Sequence, residues 1–293
     1  MATELVLLGT GTPNAEADRH GSALAVVVDG HSYLVDFGPG VVRRALRAWR
    51  EQGIEALAPQ QLRLAFLTHL HHDHTAGLPD LLLTPWTLGR RDPLTVYGPL
   101  GLDALAGGAA AAWREDVRER LEGLEPANDG GQRLLAREFG TPGTVFQDER
   151  VEVRAFRVEH GSWPAWAYRF ETAEGCIVVS GDTAPCAGIE AAARGCDILV
   201  HEVYSARSFA ALTPAWQRYH GSVHTSTSEL AALARRVRPG LLLLVHQLSW
   251  GGNCDTLPDE VREGYDGPVL NGRDLQRVPL PLRRQGGSVI LRP

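Results

Sequence analysis

Six consecutive positions, His69-Leu70-His71-His72-Asp73-His74, hold four histidines and an aspartate. They follow an apolar run over 62–67, Leu-Arg-Leu-Ala-Phe-Leu, that reads as a strand. Imidazoles at His69, His71 and His74 and a carboxylate at Asp73 are donors suited to zinc and its borderline neighbours. The alternatives are a solvated histidine-rich turn or a single adventitious ion. Whether the rest of the chain supplies more donors separates them.

Four further segments do. Strand-like runs over 151–158, 176–179, 197–200 and 241–245 lead into Glu159-His160-Gly161, Ser180-Gly181-Asp182-Thr183, His201-Glu202 and His246-Gln247. Loops at strand ends, held by a packed sheet, are where α/β folds place their sites. Five strand ends are therefore expected to converge on one metal centre.

The elements that must position these residues are legible as patterns. Strands are expected over 4–8, 23–28 and 32–35, with Asp29-Gly30 as a hairpin turn. Asp36-Phe37-Gly38-Pro39-Gly40 leads into a helix over 41–52, whose Arg43, Arg44, Arg47 and Arg50 read as a solvated face. Helices are expected over 77–88, 186–194, 205–219 and 226–237, with one or two more over 102–124. A strand is expected over 94–97, and short strands with turns over 268–292. Gly9-Thr10-Gly11-Thr12-Pro13 permits a tight turn but lacks the GxGxxG of a dinucleotide loop. No fixed-period repeat is present. Two similar strand-rich halves meet at a seam near 125–142, and because donors come from both sides, residues 1–293 are expected to form one domain.

Composition narrows the chemistry. All 29 basic residues are arginine, which excludes lysine Schiff bases and a Walker-type phosphate loop. The formal net charge of −6 argues against a surface that grips phosphate backbones throughout. The longest apolar runs, such as 241–245, are too short to span a bilayer, so no membrane partner is expected. Met1-Ala2-Thr3-Glu4 has no basic n-region before an apolar stretch, which predicts no secretory signal. Cys176, Cys186, Cys196 and Cys254 form no CxxC pair and read as buried thiols of a reducing compartment, so a cytoplasmic location is expected.

With these residues in place, nearly the whole chain resembles the metallo-β-lactamase superfamily. It is most similar to the branch containing ribonuclease Z, related phosphodiesterases and arylsulfatase-like hydrolases, whose N-terminal motif resembles Leu8-Gly9-Thr10-Gly11-Thr12-Pro13 with Arg19, Gly21 and Ser22. The resemblance implies an α/β fold, a four-layer αββα sandwich, carrying two zinc ions, with manganese or iron(II) as substitutes. It implies that His69, His71 and His160 hold one ion, that Asp73, His74 and His246 hold the other, and that Asp182 bridges them. Three protein ligands and a bridge leave each metal a position for water or substrate. The expected nucleophile is a metal-bridging hydroxide oriented by Asp73, acting on an anionic ester. Glu202 and His224 resemble a Glu–His pair of the same branch, in which the histidine protonates the leaving oxygen and the glutamate orients it. Their alternatives are a structural carboxylate and a helix-cap neighbour. His20, His31, His72, His201 and His220 are expected to be structural or solvated.

One departure from the family pattern bears on substrate. Ribonuclease Z proper carries a long Gly-, Pro- and Lys-rich arm between the equivalents of His160 and Asp182, and here that interval is 182 − 160 = 22 residues. Without arm or lysine, contacts to a large polyanion are poorly supplied, so tRNA is the less favoured partner. Trp86, Trp163, Trp166 and Trp250 fall near the expected site loops and suit a small organic substrate, the alternative being that they are core. The reading is a dinuclear-zinc phosphodiesterase acting on a small or nucleotide-like diester. Its alternatives are a tRNA 3′-processing endoribonuclease, an arylsulfatase or a lactonase-type hydrolase, and outside enzymes a nucleic-acid-binding scaffold with a degenerate site. A di-iron oxidoreductase is disfavoured for want of a flavodoxin-like partner domain. Relatives in this branch are often homodimers, so the resemblance offers a homodimer as one option, and nothing in the residues fixes the oligomeric state.

Overall fold

The structure, a computed structural model, describes residues 2–282, 284–285 and 288–289. Two seven-stranded mixed sheets stack face to face. The first contains β1 (Thr3–Gly9), β2 (Ala23–Val28), β3 (His31–Val35), β4 (Leu64–Phe66), β5 (Leu94–Pro99) and β6 (Leu134–Phe139) in chain order. The second contains β7 (Gly143–Gln147), β8 (Val151–His160), β9 (Trp163–Thr172), β10 (Gly175–Val179), β11 (Ile198–Tyr204), β12 (Leu241–Leu248) and β13 (Val269–Asn271). The chain passes from one sheet to the other at 140–142, then returns with β14 (Arg277–Leu280) to pair antiparallel with β1.

Side-chain alternation explains the stacking. In β1, Leu5 and Leu7 face the opposite sheet, while Val6 and Leu8 face helices. Both faces are covered, so these strands read as continuous apolar runs rather than alternating ones. Leu243 and Val200 of the second sheet likewise enter the layer between sheets, and Leu242 and Leu199 enter the layer beneath helices.

Helices α1 (Val41–Gln52) and α3 (Leu78–Thr87) cover the first sheet, with the short turn α2 (His72–Thr75) between them in the chain. Val41, Val42, Ala45 and Ala48 form the buried stripe of α1. Of its arginines, Arg44 is not solvated as expected; it turns inward to Asp274. Next come α4 (Leu102–Ala112) and α5 (Arg114–Glu122), resolving the 102–124 stretch into two helices. Over the second sheet lie α6 (Ala187–Ala193), α9 (Thr227–Val237) and α10 (Leu257–Arg262). The helix expected over 205–219 is instead two: α7 (Ala206–Phe209) and α8 (Pro214–Val223). Pro214 lacks the N–H a continuous helix would need there and starts the second one. Strands β6 and β7, at sheet edges, carry no clean alternation and were not expected. Of the tail expected over 268–292, β13 and β14 are present; 283, 286–287 and 290–292 lie outside the described residues. Among the described residues, no helix is long and apolar enough to cross a membrane.

Candidate metal centre

The expected donors meet at one end of the sandwich, though not all beyond strand ends. His69 follows β4 and Asp182 follows β10, whereas His160, Glu202 and His246 lie within β8, β11 and β12. His246 is brought in by a local irregularity. Glu202 pairs with Val245 and Val203 pairs with Gln247, so His246 is the extra residue of a bulge, at φ 44°. A bulge re-aims one side chain without breaking the sheet. Its backbone N–H is freed from the ladder and donates to Thr10 O at 3.0 Å. The glycine-rich opening loop therefore clamps the site, and Gly9 is required by close approach: a Cβ there would meet Gly21 O at 2.0 Å.

Three imidazoles have their inward nitrogens fixed by outward partners. His160 Nδ1 donates to the Val223 carbonyl at 2.8 Å, leaving Nε2 as a lone pair. His69 Nδ1 lies 3.1 Å from Thr68 Oγ1, whose own proton goes to Asp36 Oδ2 at 2.9 Å, so His69 Nε2 is likewise bare. His74 Nδ1 donates to Asp36 Oδ2 at 2.7 Å, aiming Nε2 inward. Outer partners of this kind orient metal-ligating histidines. Sequence reading passed over Asp36; its position at the end of β3, like the other donors at strand ends, was the available signal.

The inward atoms form two clusters. His69 Nε2 and His160 Nε2 lie 3.1 and 3.2 Å from His71 Nδ1. Tetrahedral zinc with Zn–N near 2.0–2.1 Å sets neighbouring nitrogens about 3.3 Å apart, so three converging nitrogens fit an ion. In the second cluster, Asp73 Oδ2 lies 3.4 Å from His74 Nε2 and 3.2 Å from His246 Nε2. Asp182 stands between, with Oδ1 3.5 Å from His74 Nε2 and Oδ2 3.4 Å from His246 Nε2 and 3.9 Å from His69 Nε2. Asp73 Oδ1 and His74 Nε2 are buried without a hydrogen-bond partner, and each cluster gathers its donor atoms within 4.8 Å. Buried polar atoms in that state call for a ligand. His72 is exposed, as expected, and outside both clusters.

Electrostatics agree with cation binding. Burial pushes His69 well below its ordinary pKa, aided by His74, which keeps it neutral and able to ligate. Although burial opposes ionisation, the imidazoles of His246 and His74 hold the Asp182 carboxyl well below its usual range. Against burial, Asp182 and Asp36 hold His74 well above its own. Asp36, Asp73, Asp182 and Glu202 are all buried, and buried carboxylates demand compensating positive charge.

Beside the clusters, His224 Nδ1 lies 3.3 Å from Glu202 Oε1, which also accepts from Thr225 N at 3.0 Å and Thr183 N at 3.2 Å. Burial and then Asp182 push the Glu202 carboxyl well up, and burial lowers the His224 imidazole to about 4. A cleft of about 410 Å³ opens onto His71, Asp182, His224 and His246. The tryptophan expectation needs correction. Trp86 and Trp166 are core, the first donating to Asn128 O and the second packed on Phe139. Trp163 meets the His71 ring edge-on at 4.8 Å, and Trp250 lines the cleft. Trp216 and His220, not expected at the site, line it too. Their spacing with His224, one per helical turn, was the missed signal.

Comparison with known proteins now bears on this arrangement. Residues 31–247 match a family described as "Beta-lactamase superfamily domain". The chain belongs to the β-lactamase superfamily. Within it, the chain is 34% identical over 249 residues to a protein named "Ribonuclease Z" from Mycobacterium sp. (strain KMS), covering 84% of each. It is 33% identical over 281 residues to one of the same name from Mycolicibacterium paratuberculosis, covering 94% of this chain and 97% of that one. Among solved structures, the metallo-β-lactamase fold protein YhfI from Bacillus subtilis superposes with TM-score 0.70 at 18% identity, covering 95% and 100%. Human tRNase Z, short form, does so with TM-score 0.65 at 23% identity, covering 95% and 100%. The fold is thus the metallo-β-lactamase sandwich. As a superfamily member with this donor set, the chain is a metal-dependent hydrolase acting on ester bonds.

Proposed function

We propose that this protein is a dinuclear zinc phosphodiesterase acting on a small or nucleotide-like diester. The observation that carries it is the pair of donor clusters about Asp182, with the His224–Glu202 pair opening into the same cleft. His69, His71 and His160 would hold one zinc, Asp73, His74 and His246 the other, and Asp182 both. Bound there, the ions supply a nucleophile from water near neutral pH and clamp the oxygens of an anionic ester.

The chain's own residues then do the rest. Glu202 Oε1, held by two backbone N–H groups, fixes the Nδ1–H of His224 and leaves Nε2 facing the cleft. Burial holds the free imidazole neutral, so Nε2 would take up its proton as the anionic ester binds and pass it to the departing oxygen. Asp73, whose Oδ1 is buried without a hydrogen-bond partner, would orient the attacking water as well as ligate. A 410 Å³ cleft is of small-ligand size, which favours a compact substrate.

A second reading, processing of tRNA 3′ ends, is favoured by a specific observation. Relatives named "Ribonuclease Z" match at 34% and 33% identity and have nearly this chain's length, so overall length does not set this chain apart from them. One comparison decides: turnover of bis-p-nitrophenyl phosphate, a sulfate ester, a lactone and precursor tRNA by the same preparation. The expected outcome is efficient cleavage of the diester and poor cleavage of tRNA; the reverse order restores the ribonuclease.

A further inference from the structure

A tryptophan more than half exposed is not a core residue, and Trp216 is 55% exposed on the wall of the cleft. It begins a column of near-parallel rings. Trp216 stacks on His220 at 5.5 Å and 23°, His220 on His224 at 5.7 Å and 28°, and His224 on His246 at 5.7 Å and 28°. The column exists because α8 places residues 216 and 220 on one face, a turn apart, and its C-cap His224 follows one turn further on. Trp250, 4.7 Å from His220, supports it from the side. Tyr219, 44% exposed, stands edge-on to Trp216 at 5.8 Å and 80° and widens the wall.

This wall is held in register with the metal centre. The Val223 carbonyl at the end of α8 accepts the Nδ1–H of His160, one of the proposed zinc ligands. At the other end, Gln217 Nε2 donates to the Phe209 and Ala210 carbonyls at 3.3 Å. The outermost ring is thus rigidly spaced from the donor clusters and open to the cleft.

From this we infer that Trp216, with Tyr219 beside it, is a stacking surface for the nucleobase of a nucleotide ester whose phosphate lies at the metal centre. The inference rests on the nucleotide-like reading above and names the recognition behind it. Aromatic stacking tolerates every base, because each presents a π-face, so the subsite selects nucleotides over alkyl esters without selecting among sequences.

The test reads binding rather than turnover. Calorimetry on the metal-loaded protein would compare adenosine 5′-monophosphate with methyl phosphate, which shares the anion and lacks the base. Trp216→Ala is expected to weaken the nucleotide about ten-fold or more and leave methyl phosphate within about two-fold; Trp216→Phe should restore most of the difference. Equal effects on the two ligands, no effect on either, or no preference for the nucleotide in the unsubstituted protein would each overturn the inference. Failure of the hydrolase reading is separately visible, as absent turnover of bis-p-nitrophenyl phosphate. Because Trp216 is exposed, the variant should melt with the parent.

Discussion

Asp36 is the residue on which the proposed ligand shell most depends without itself reaching the ions. Its two oxygens serve His74 Nδ1, the Thr68 N–H and the Thr68 hydroxyl, the last of which in turn faces His69 Nδ1. Its backbone sits at φ 59°, a conformation that costs a non-glycine residue about 1 kcal/mol or more, offset by those hydrogen bonds. Asp36→Ala frees His74 to turn and unmoors Thr68. Zinc affinity, measured by competition with a chromogenic chelator, should fall about 10–100-fold. His224 makes a contrasting prediction. If it supplies the proton to the leaving oxygen, His224→Ala should cost about 10²–10⁴-fold on alkyl leaving groups and far less on p-nitrophenolate, which departs unaided. Equal losses on both would remove that role.

At the scale of elements, the decisive feature is the bulge at His246 and the loop that braces it. The loop is anchored by Asp274, which accepts Thr10 N and Thr10 Oγ1 at 2.9 Å and His20 N at 3.0 Å and pairs with Arg44. Thr10 in turn accepts the His246 N–H, so a carboxylate far away in sequence holds a proposed zinc ligand in place. Asp274→Ala leaves the Thr10 N–H, the Thr10 hydroxyl and the His20 N–H without their acceptor and the largely covered Arg44 guanidinium without its partner. Chemical denaturation should report a loss of about 3–5 kcal/mol, with zinc at the His246 cluster bound more weakly than at the His69 cluster. The double opening of the 205–223 stretch belongs to the same scale. The first helix stops at Phe209, Pro214 begins another, and only the second carries the ring column.

For the whole molecule, the three hydrophobic layers are filled by apolar side chains of both sheets and their helices, whereas the proposed donors are polar side chains gathered at one end of the same strands. Stability and metal binding are therefore separable to first order. Purified protein should contain about two zinc ions per chain by elemental analysis, and one or none would remove the dinuclear assignment. Stripping them with a chelator should leave the far-ultraviolet circular dichroism intact and lower the melting temperature by about 5–10 °C, the shift expected when ligand at about 100 times its dissociation constant is withdrawn. Collapse of the spectrum on chelation would mean that the metals hold the sandwich together.

The proposed donors His69, His71, Asp73, His74, His160, Asp182 and His246 could be singled out in the chain because each ends or follows an apolar run, and strand periodicity is a local property. The same periodicity made most of the strands and helices readable, while their stacking as a four-layer sandwich came from the family resemblance. What the chain alone could not decide depends on partners distant in sequence. Asp36 binds His74 across 38 residues, and Val223 binds His160 across 63. Which nitrogen each imidazole presents follows from those contacts, not from the histidine pattern. The tryptophans divide for the same reason: Trp86 and Trp166 look like Trp216 in composition, and only packing buries the first two and leaves the third facing the cleft. Ligand chemistry is carried by residue type and spacing; the aim of each ligand, and the wall opposite, is set by what the folded sheets bring beside it.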